Sequence, residues 1–294
     1  MKIIVDEENI RLDHFLVKKL EFSRSKVQKL IKNGSVTVNG SEKNNSYLTR
    51  IDDVIEINEK NDENIMSMNS DIDVCVVYED PYLLVINKQS GLVVHPANGH
   101  YDDTLVNALL HRFKLSDIDS ERPGIVHRID KDTSGLMLVA KDNKTHELLA
   151  NMIKNKEVER VYWALVDGVI NHNTGTIDAP IGRDPNNRQK MCVTDKFSKE
   201  AITNFRVLKR YKENTLVECK LDTGRTHQIR VHFNYIGHPV YGDPVYGRRK
   251  SIDSFGQYLH SKSIRFIHPI TKEKMFFDSE LPEEFRKKLE ELEK

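Results

Sequence analysis

Gly124-Ile125-Val126-His127-Arg128-Ile129-Asp130-Lys131-Asp132-Thr133-Ser134-Gly135-Leu136-Met137-Leu138-Val139-Ala140-Lys141 runs from an apolar strand fragment through a dense polar loop into a buried strand. Loops carried on rigid strands commonly hold functional groups, yet Asp, Thr, Ser and Gly are equally what a structural turn requires. Taken alone, the segment leaves both readings open.

Outward from it, short apolar runs read as further strands: Val74–Tyr78, Leu83–Ile86, Val158–Val166, Ala201–Leu208, Thr215–Leu221 and Ile264–His268. Asp80-Pro81 and Ser90-Gly91 flank the second run as turn signals, which fits a hairpin. Helical spacing marks Leu105, Ala108, Leu109 and Phe113, and again Leu148, Leu149, Met152 and Ile153. Thr226 stands where an N-cap belongs, before Ile229, Phe233 and Ile236, with Gly237 and Pro239 as stop signals. Pro282–Lys294 reads as a charged amphipathic helix with Pro282 near its first turn, a solvated capping element. The prediction is an α+β domain over residues 72–294 with a mostly antiparallel mixed β-sheet.

The first sixty residues form a smaller α/β unit. Leu12, Phe15, Leu16 and Leu20 recur at helical spacing, as do Val27, Leu30 and Ile31 after Ser23. Gly34 sits at a C-cap position; Val36-Thr37-Val38, the Asn39-Gly40 turn and Val54–Ile57 supply strands. We expect a domain over 1–60 and a polar linker over 61–71.

Charge reads differently in the whole and in the part. The 294-residue chain has 45 Lys+Arg and 45 Asp+Glu, a zero balance that does not by itself point to nucleic acid. Between Arg11 and Arg50, however, nine basic residues face three acidic ones. Arg24, Lys26, Lys29 and Lys32 fall on one helix, which serves either as a solvated face or as a row of phosphate contacts.

Several chemistries lack their residues. Neither GxxxxGK[ST] nor GxGxxG occurs, so no nucleotide cofactor is expected. HExxH is missing, and His227 and His232, five apart, would point about 140° apart on a helix, so no metal is expected. No G-x-S-x-G elbow is present. Cys75, Cys192 and Cys219 are dispersed, odd in number and without a CxxC pair, as expected of buried thiols in a reducing cytoplasm. With no signal-like leader and no apolar run of ~18–20 residues, the expectation is a soluble cytoplasmic protein that does not contact membranes. No dimerisation heptad is present, so a monomer is expected.

Residues 127–141 resemble H-R-[LI]-D-x-x-T-S-G-L-L-[LV]-x-A-K, the catalytic signature of the RluA/RluD-type RNA pseudouridine synthases. Asn87–Pro96 resembles that family's N-K-P-x-G-x-x-x-H-P motif, with Gln89 for the proline. Val158–Gly168 resembles K-x-Y-x-A-L-V-x-G, with Arg160 for the lysine, and Leu221–Arg230 resembles L-x-T-G-R-T-H-Q-I-R, running on to Gly237-His238-Pro239, Gly242-Asp243 and Tyr246-Gly247. The N-terminal unit is similar to the S-four type RNA-binding domain, with Asp52-Asp53 where that family has Gly-Asp.

The resemblance implies an isomerase that turns uridine into pseudouridine without a cofactor, most naturally in large-subunit (23S) ribosomal RNA. Asp130 is then the catalytic carboxylate, Arg230 its partner, and Tyr162 the residue that stacks on uracil and takes the carbon-5 proton. Pairing with Arg230 would hold the Asp130 carboxylate in position. Arg128 would fill the space left by the displaced base. His127 either helps hold the displaced strand or merely supports the loop; Arg183 and Arg188, in the loop Gly182–Lys190, are either RNA backbone contacts or part of a solvated loop, and Lys88, Arg225 and His227 complete the implied substrate contacts. A noncatalytic RNA-binding or ribosome-assembly factor on the same fold is the alternative, and intact Asp130, Tyr162 and Arg230 speak against it.

Overall fold

Leu12, Phe15 and Leu16 on helix α1 (Leu12–Leu20) and Val27 and Ile31 on helix α2 (Arg24–Lys32) bury their apolar faces in one core. The sheet beneath contains β1 (Lys2–Ile4), β2 (Val36–Val38), β3 (Ser41–Glu42) and β4 (Val54–Ile57), antiparallel in the order β1-β4-β2-β3. Asn39 and Gly40 take φ of 52° and 75°, the doubly left-handed turn that an Asn-Gly pair favours between strands. Asp52, standing where the S-four type has glycine, also adopts a left-handed φ of 67°. Aspartate tolerates that region better than most residues. Asp53 beside it is buried and accepts hydrogen bonds from the Tyr47 hydroxyl, the Asn39 side chain and the Arg50 N–H.

The basic face is less free than the residue count implies. Asp13, fully buried, accepts from Arg11, Arg24 and Gln28, and these bonds outweigh the desolvation that would raise its pKa, holding it well below the usual carboxylate range. Lys18 and Lys19 pair with Glu7 and Asp6, acids lying just outside the window counted above. Lys32 is exposed, and Arg24 stays over half exposed despite its bond to Asp13.

The structure is a computed structural model that describes residues 1–58 except 21 and 23, and 68–294 except 70, 98, 188 and 189. The side chains of Ser25, Lys26 and Lys29 lie outside the described set, as do Arg188 and most of the expected linker 61–71. The chain forms two units, residues 1–67 with 117–123, and residues 68–116 with 124–294. Among the described residues no helix is long and apolar enough to cross a membrane.

The larger unit follows the order β5 (Cys75–Glu79), β6 (Leu83–Lys88), α3 (Leu105–Arg112), β7 (Ser134–Ala140), α4 (Asn143–Lys154), β8 (Glu159–Asp167), β9 (Thr174–Asp178), β10 (Ile181–Arg183), β11 (Met191–Val193), β12 (Ile202–Arg210), β13 (Asn214–Leu221), α5 (Gln228–Tyr235), β14 (Leu259–Ile267), β15 (Lys274–Asp278) and α6 (Glu283–Glu291). Nine strands form one sheet, β5-β6-β7-β14-β8-β13-β12-β9, with β15 also on β14. Only β7 with β14 is parallel, so the sheet is mixed and mostly antiparallel as expected. Strand β7 is buried along its whole length, and Leu149 of α4 packs with Leu136, Leu138 and Ala140 on one of its faces.

Three expectations change here. Helix α6 is not merely a solvated cap: Phe285 is fully buried against Leu165, Leu216 and Tyr258. Gly182–Lys190, read as a loop, begins inside a hairpin: Gly182 and Arg183 belong to β10, which pairs with β11 directly after Lys190. Of the three thiols only Cys219 is buried, and Cys75 is exposed.

Gly135 permits the central crossing. It lies opposite Ser261 where β7 meets β14, with φ of 109°, and a Cβ there would sit 2.6 Å from the Ser261 nitrogen and closer still to its carbonyl. Both contacts are backbone and cannot swing aside. Gly135→Ala is expected to destabilise the protein by at least ~2 kcal/mol, read as a lowered thermal midpoint. An unchanged midpoint would mean the two strands approach less closely than described.

Candidate active site

The loop bearing Asp130 is fastened by the Asn87–Gly91 segment. Lys88 donates all three of its ammonium hydrogens to carbonyls, those of Gln89, Leu92 and Lys131, each at 2.8 Å. Gly91 N–H reaches the same Lys131 carbonyl, Ser90 Oγ donates to the Asp132 carbonyl, and Gln257 Nε2 donates to Thr133 Oγ1. Lys88 is 1% exposed, and burial pushes its pKa down to about 7 against the pull of Asp132 and Asp130. With no donor left over, it braces the loop and is not the substrate contact expected from its motif. Gln89 in place of proline costs nothing here, since its carbonyl is the group used.

On the far side, α5 delivers Arg230. Its cap is not Thr226, which is exposed, but His227, held in a left-handed conformation with φ of 57°. The Gln228 side chain accepts from Thr223 Oγ1 and Arg225 N, ordering the turn before the helix. Arg230 Nε and Nη2 fork onto the two oxygens of Asp243 at 2.7 and 2.9 Å, and Nη1 reaches Asp130 Oδ2 at 2.8 Å. One carboxylate thus fixes the guanidinium plane, and the guanidinium fixes the other carboxylate. Asp243 also accepts from Val245 and Tyr246 N–H.

Asp243 and Tyr246 were not singled out from sequence. The Tyr246 ring lies 5.2 Å under the Arg230 guanidinium, and its hydroxyl joins His227 Nδ1 at 3.0 Å and both backbone polar groups of Met191 in β11. Their one signal was Gly242-Asp243 and Tyr246-Gly247 following the arginine block. His227 Nε2 stands 3.9 Å from Asp130 Oδ1, and burial lowers its pKa against the pull of that carboxylate.

Asp130, Tyr162, His127, Arg128, Arg225, His227 and Arg230 all border one cavity of about 520 Å³. Tyr162 is 5% exposed, and burial raises its pKa, so it meets the cavity as a neutral phenol. His127 Nε2 accepts the Leu138 N–H at 2.9 Å, pinning the loop to β7; burial, with the Arg160 charge beside it, pushes its pKa to about 3 and keeps the ring neutral. Of the two readings for His127, this bond serves the support of the loop. Arg128 is exposed beside His95, and Arg225 Nε donates to the Glu200 carbonyl. Arg183 is exposed at the end of β10 and does not border the cavity.

A strand-rich mixed sheet that brings Asp130, Arg230 and Tyr162 to one cavity meets the expectation of an RNA-modifying isomerase, and the chain belongs to the RNA pseudouridylate synthase family, which it matches over residues 82–235. Residues 10–55 match the S4 domain family. The chain is 49% identical over 292 residues to an uncharacterized RNA pseudouridine synthase of Bacillus subtilis, YlyB, covering 98% of this chain and 96% of the relative. It is 43% identical over 279 residues to ribosomal large subunit pseudouridine synthase D of Pseudomonas aeruginosa, covering 90% and 86%. Among solved structures, human RNA pseudouridylate synthase domain containing 1 superposes with a TM-score of 0.61 at 28% identity, covering 73% of this chain and 86% of that one.

Proposed function

We propose that this enzyme isomerises uridines of large-subunit ribosomal RNA to pseudouridine with Asp130 as the catalytic carboxylate. The observation that carries the reading is the three-membered chain Asp243–Arg230–Asp130, which presents one carboxylate to the cavity from a rigid mount. In the reaction the N1–C1′ bond breaks, the base turns, C5 bonds to C1′, C5 loses its proton and N1 gains one. Asp130 meets the ribose, Tyr162 supports the turning base, and Arg128 occupies the space that the extruded nucleotide leaves. The large-subunit substrate rests on the named relative and on the accompanying S4 unit, where Arg24 and Lys32 offer phosphate contacts. We read the working form as a single chain in the cytoplasm that needs no nucleotide cofactor.

Mapping pseudouridine in ribosomal and transfer RNA from cells with and without the gene tests the substrate. Positions lost from large-subunit RNA are the expected result. Losses confined to transfer RNA would overturn the substrate while leaving the chemistry in place.

A further inference from the structure

Arg160 lies on the same face of β8 as Tyr162, two residues away, and borders the same cavity. It is 9% exposed, yet among the described residues no carboxylate stands within ion-pairing distance of it, and its Nε is buried without a hydrogen-bond partner. His127 beside it repeats the pattern. Its Nε2 accepts from Leu138, so the neutral ring carries its hydrogen on Nδ1, which is buried and likewise unpartnered.

A guanidinium cannot shed its charge to escape burial, and an uncompensated buried charge is strongly unfavourable. Lys154 and Lys156 border the cavity with the same sign, and among the described residues the acids on its wall, Asp130, Glu200 and Asp222, form no ion pair with Arg160; Asp130 pairs with Arg230 instead. The neutral ring of His127 and the neutral phenol of Tyr162 supply no counter-ion. The tips of the guanidinium lie beside Gly224, where a Cβ would stand 3.7 Å from Nη1 and 3.9 Å from Nη2, ordinary contact distance. The wall therefore has an unfilled requirement for an anion.

We propose that Arg160 is a phosphate subsite that grips the RNA backbone beside the nucleotide stacked on Tyr162. A uracil carbonyl would satisfy a hydrogen but leave the charge unpaired, so the ligand is a phosphodiester. The subsite rests on the reading of this cavity as the RNA site, but its test involves no turnover and stands apart from the role of Asp130.

Binding of a fluorescent single-stranded uridine-containing RNA 12-mer to the full chain, measured from low to high KCl, reads the number of phosphates engaged. Arg160→Met is expected to weaken binding roughly tenfold and to make the log–log salt slope shallower by about 0.7, one phosphate on a single strand, while Arg160→Lys keeps the wild-type slope. The thermal midpoint of the RNA-free Arg160→Met protein is expected to hold or rise by roughly 2–4 °C, because an unpaired buried cation has been replaced by an apolar chain of similar length. A merely structural arginine would give the reverse: an unchanged slope and a lowered midpoint. Either an unchanged slope or failure of Arg160→Met to fold overturns the proposal.

Discussion

Asp130→Asn is expected to lower pseudouridine formation by at least ~10³-fold while leaving the melting midpoint and the RNA affinity near those of the parent. The amide keeps the shape of the carboxylate, and its oxygen can still accept from Arg230 Nη1 at the position where Asp130 Oδ2 accepts at 2.8 Å. Arg230 in turn remains forked onto Asp243. What disappears is the negative charge and lone-pair basicity that either attack on the ribose or removal of its proton requires. Release of tritium from RNA labelled at uridine carbon 5 follows the reaction directly, because C5 must lose its hydrogen to bond the sugar. Activity within tenfold of the parent would remove Asp130 from the chemistry and transfer attention to the neighbouring His227, whose Nε2 lies 3.9 Å from it.

The motif residues show where reading a sequence succeeds and where it stops. Asp130, Tyr162 and Arg230 come from three distant segments, and their meeting in one cavity was legible because each sits in a long motif with a fixed neighbourhood. Burial was not legible. Lys88 and His127 bear the chemistry of substrate contacts, but the three carbonyls around Lys88 and the Leu138 N–H on His127 convert both into braces for the loop. Asp243 lies thirteen residues beyond Arg230, and only the return of the chain after α5 makes it the arginine's main partner. The hairpin β10–β11 was missed for a local reason. Strands of three residues on either side of the polar stretch 184–190 carry too little alternation to stand out from a loop. Net charge failed as a guide in both directions, since the balanced total concealed the basic N-terminal stretch, and the stretch concealed its pairing with Asp6, Glu7 and Asp13.

Asp243→Ala is expected to be the most damaging substitution to stability in the site, by about 3–5 kcal/mol, or a fall in melting midpoint of roughly 10 °C. Asp243 is fully buried and accepts four hydrogen bonds, two from Arg230 and two from the Val245 and Tyr246 backbone. Its removal takes two of the three carboxylate hydrogen bonds from a guanidinium that is only 4% exposed, leaving Asp130 alone to balance its charge, and releases the turn that sets Tyr246 beneath it. Asp243→Asn separates charge from shape, because an amide oxygen can still serve the turn. Burial alone would raise the Asp243 pKa, but the Arg230 bonds and charge outweigh it and leave the carboxyl below its ordinary value. The folded state therefore binds this proton less readily than the unfolded chain, whose value is about 3.9. The stabilisation is complete above that pH and disappears as pH falls through the depressed folded value. Asp13, Asp53 and Asp80 are shifted in the same direction, so the parent protein has an acid limb to which several groups contribute. The contribution of Asp243 is the difference between two curves: denaturant unfolding from pH 6 down to pH 3 should lose less stability in Asp243→Asn than in the parent, from a lower starting point. Parallel curves would mean that the Arg230–Asp243 pair contributes no net electrostatic stabilisation, and that Arg230 is positioned by packing on Tyr246 instead.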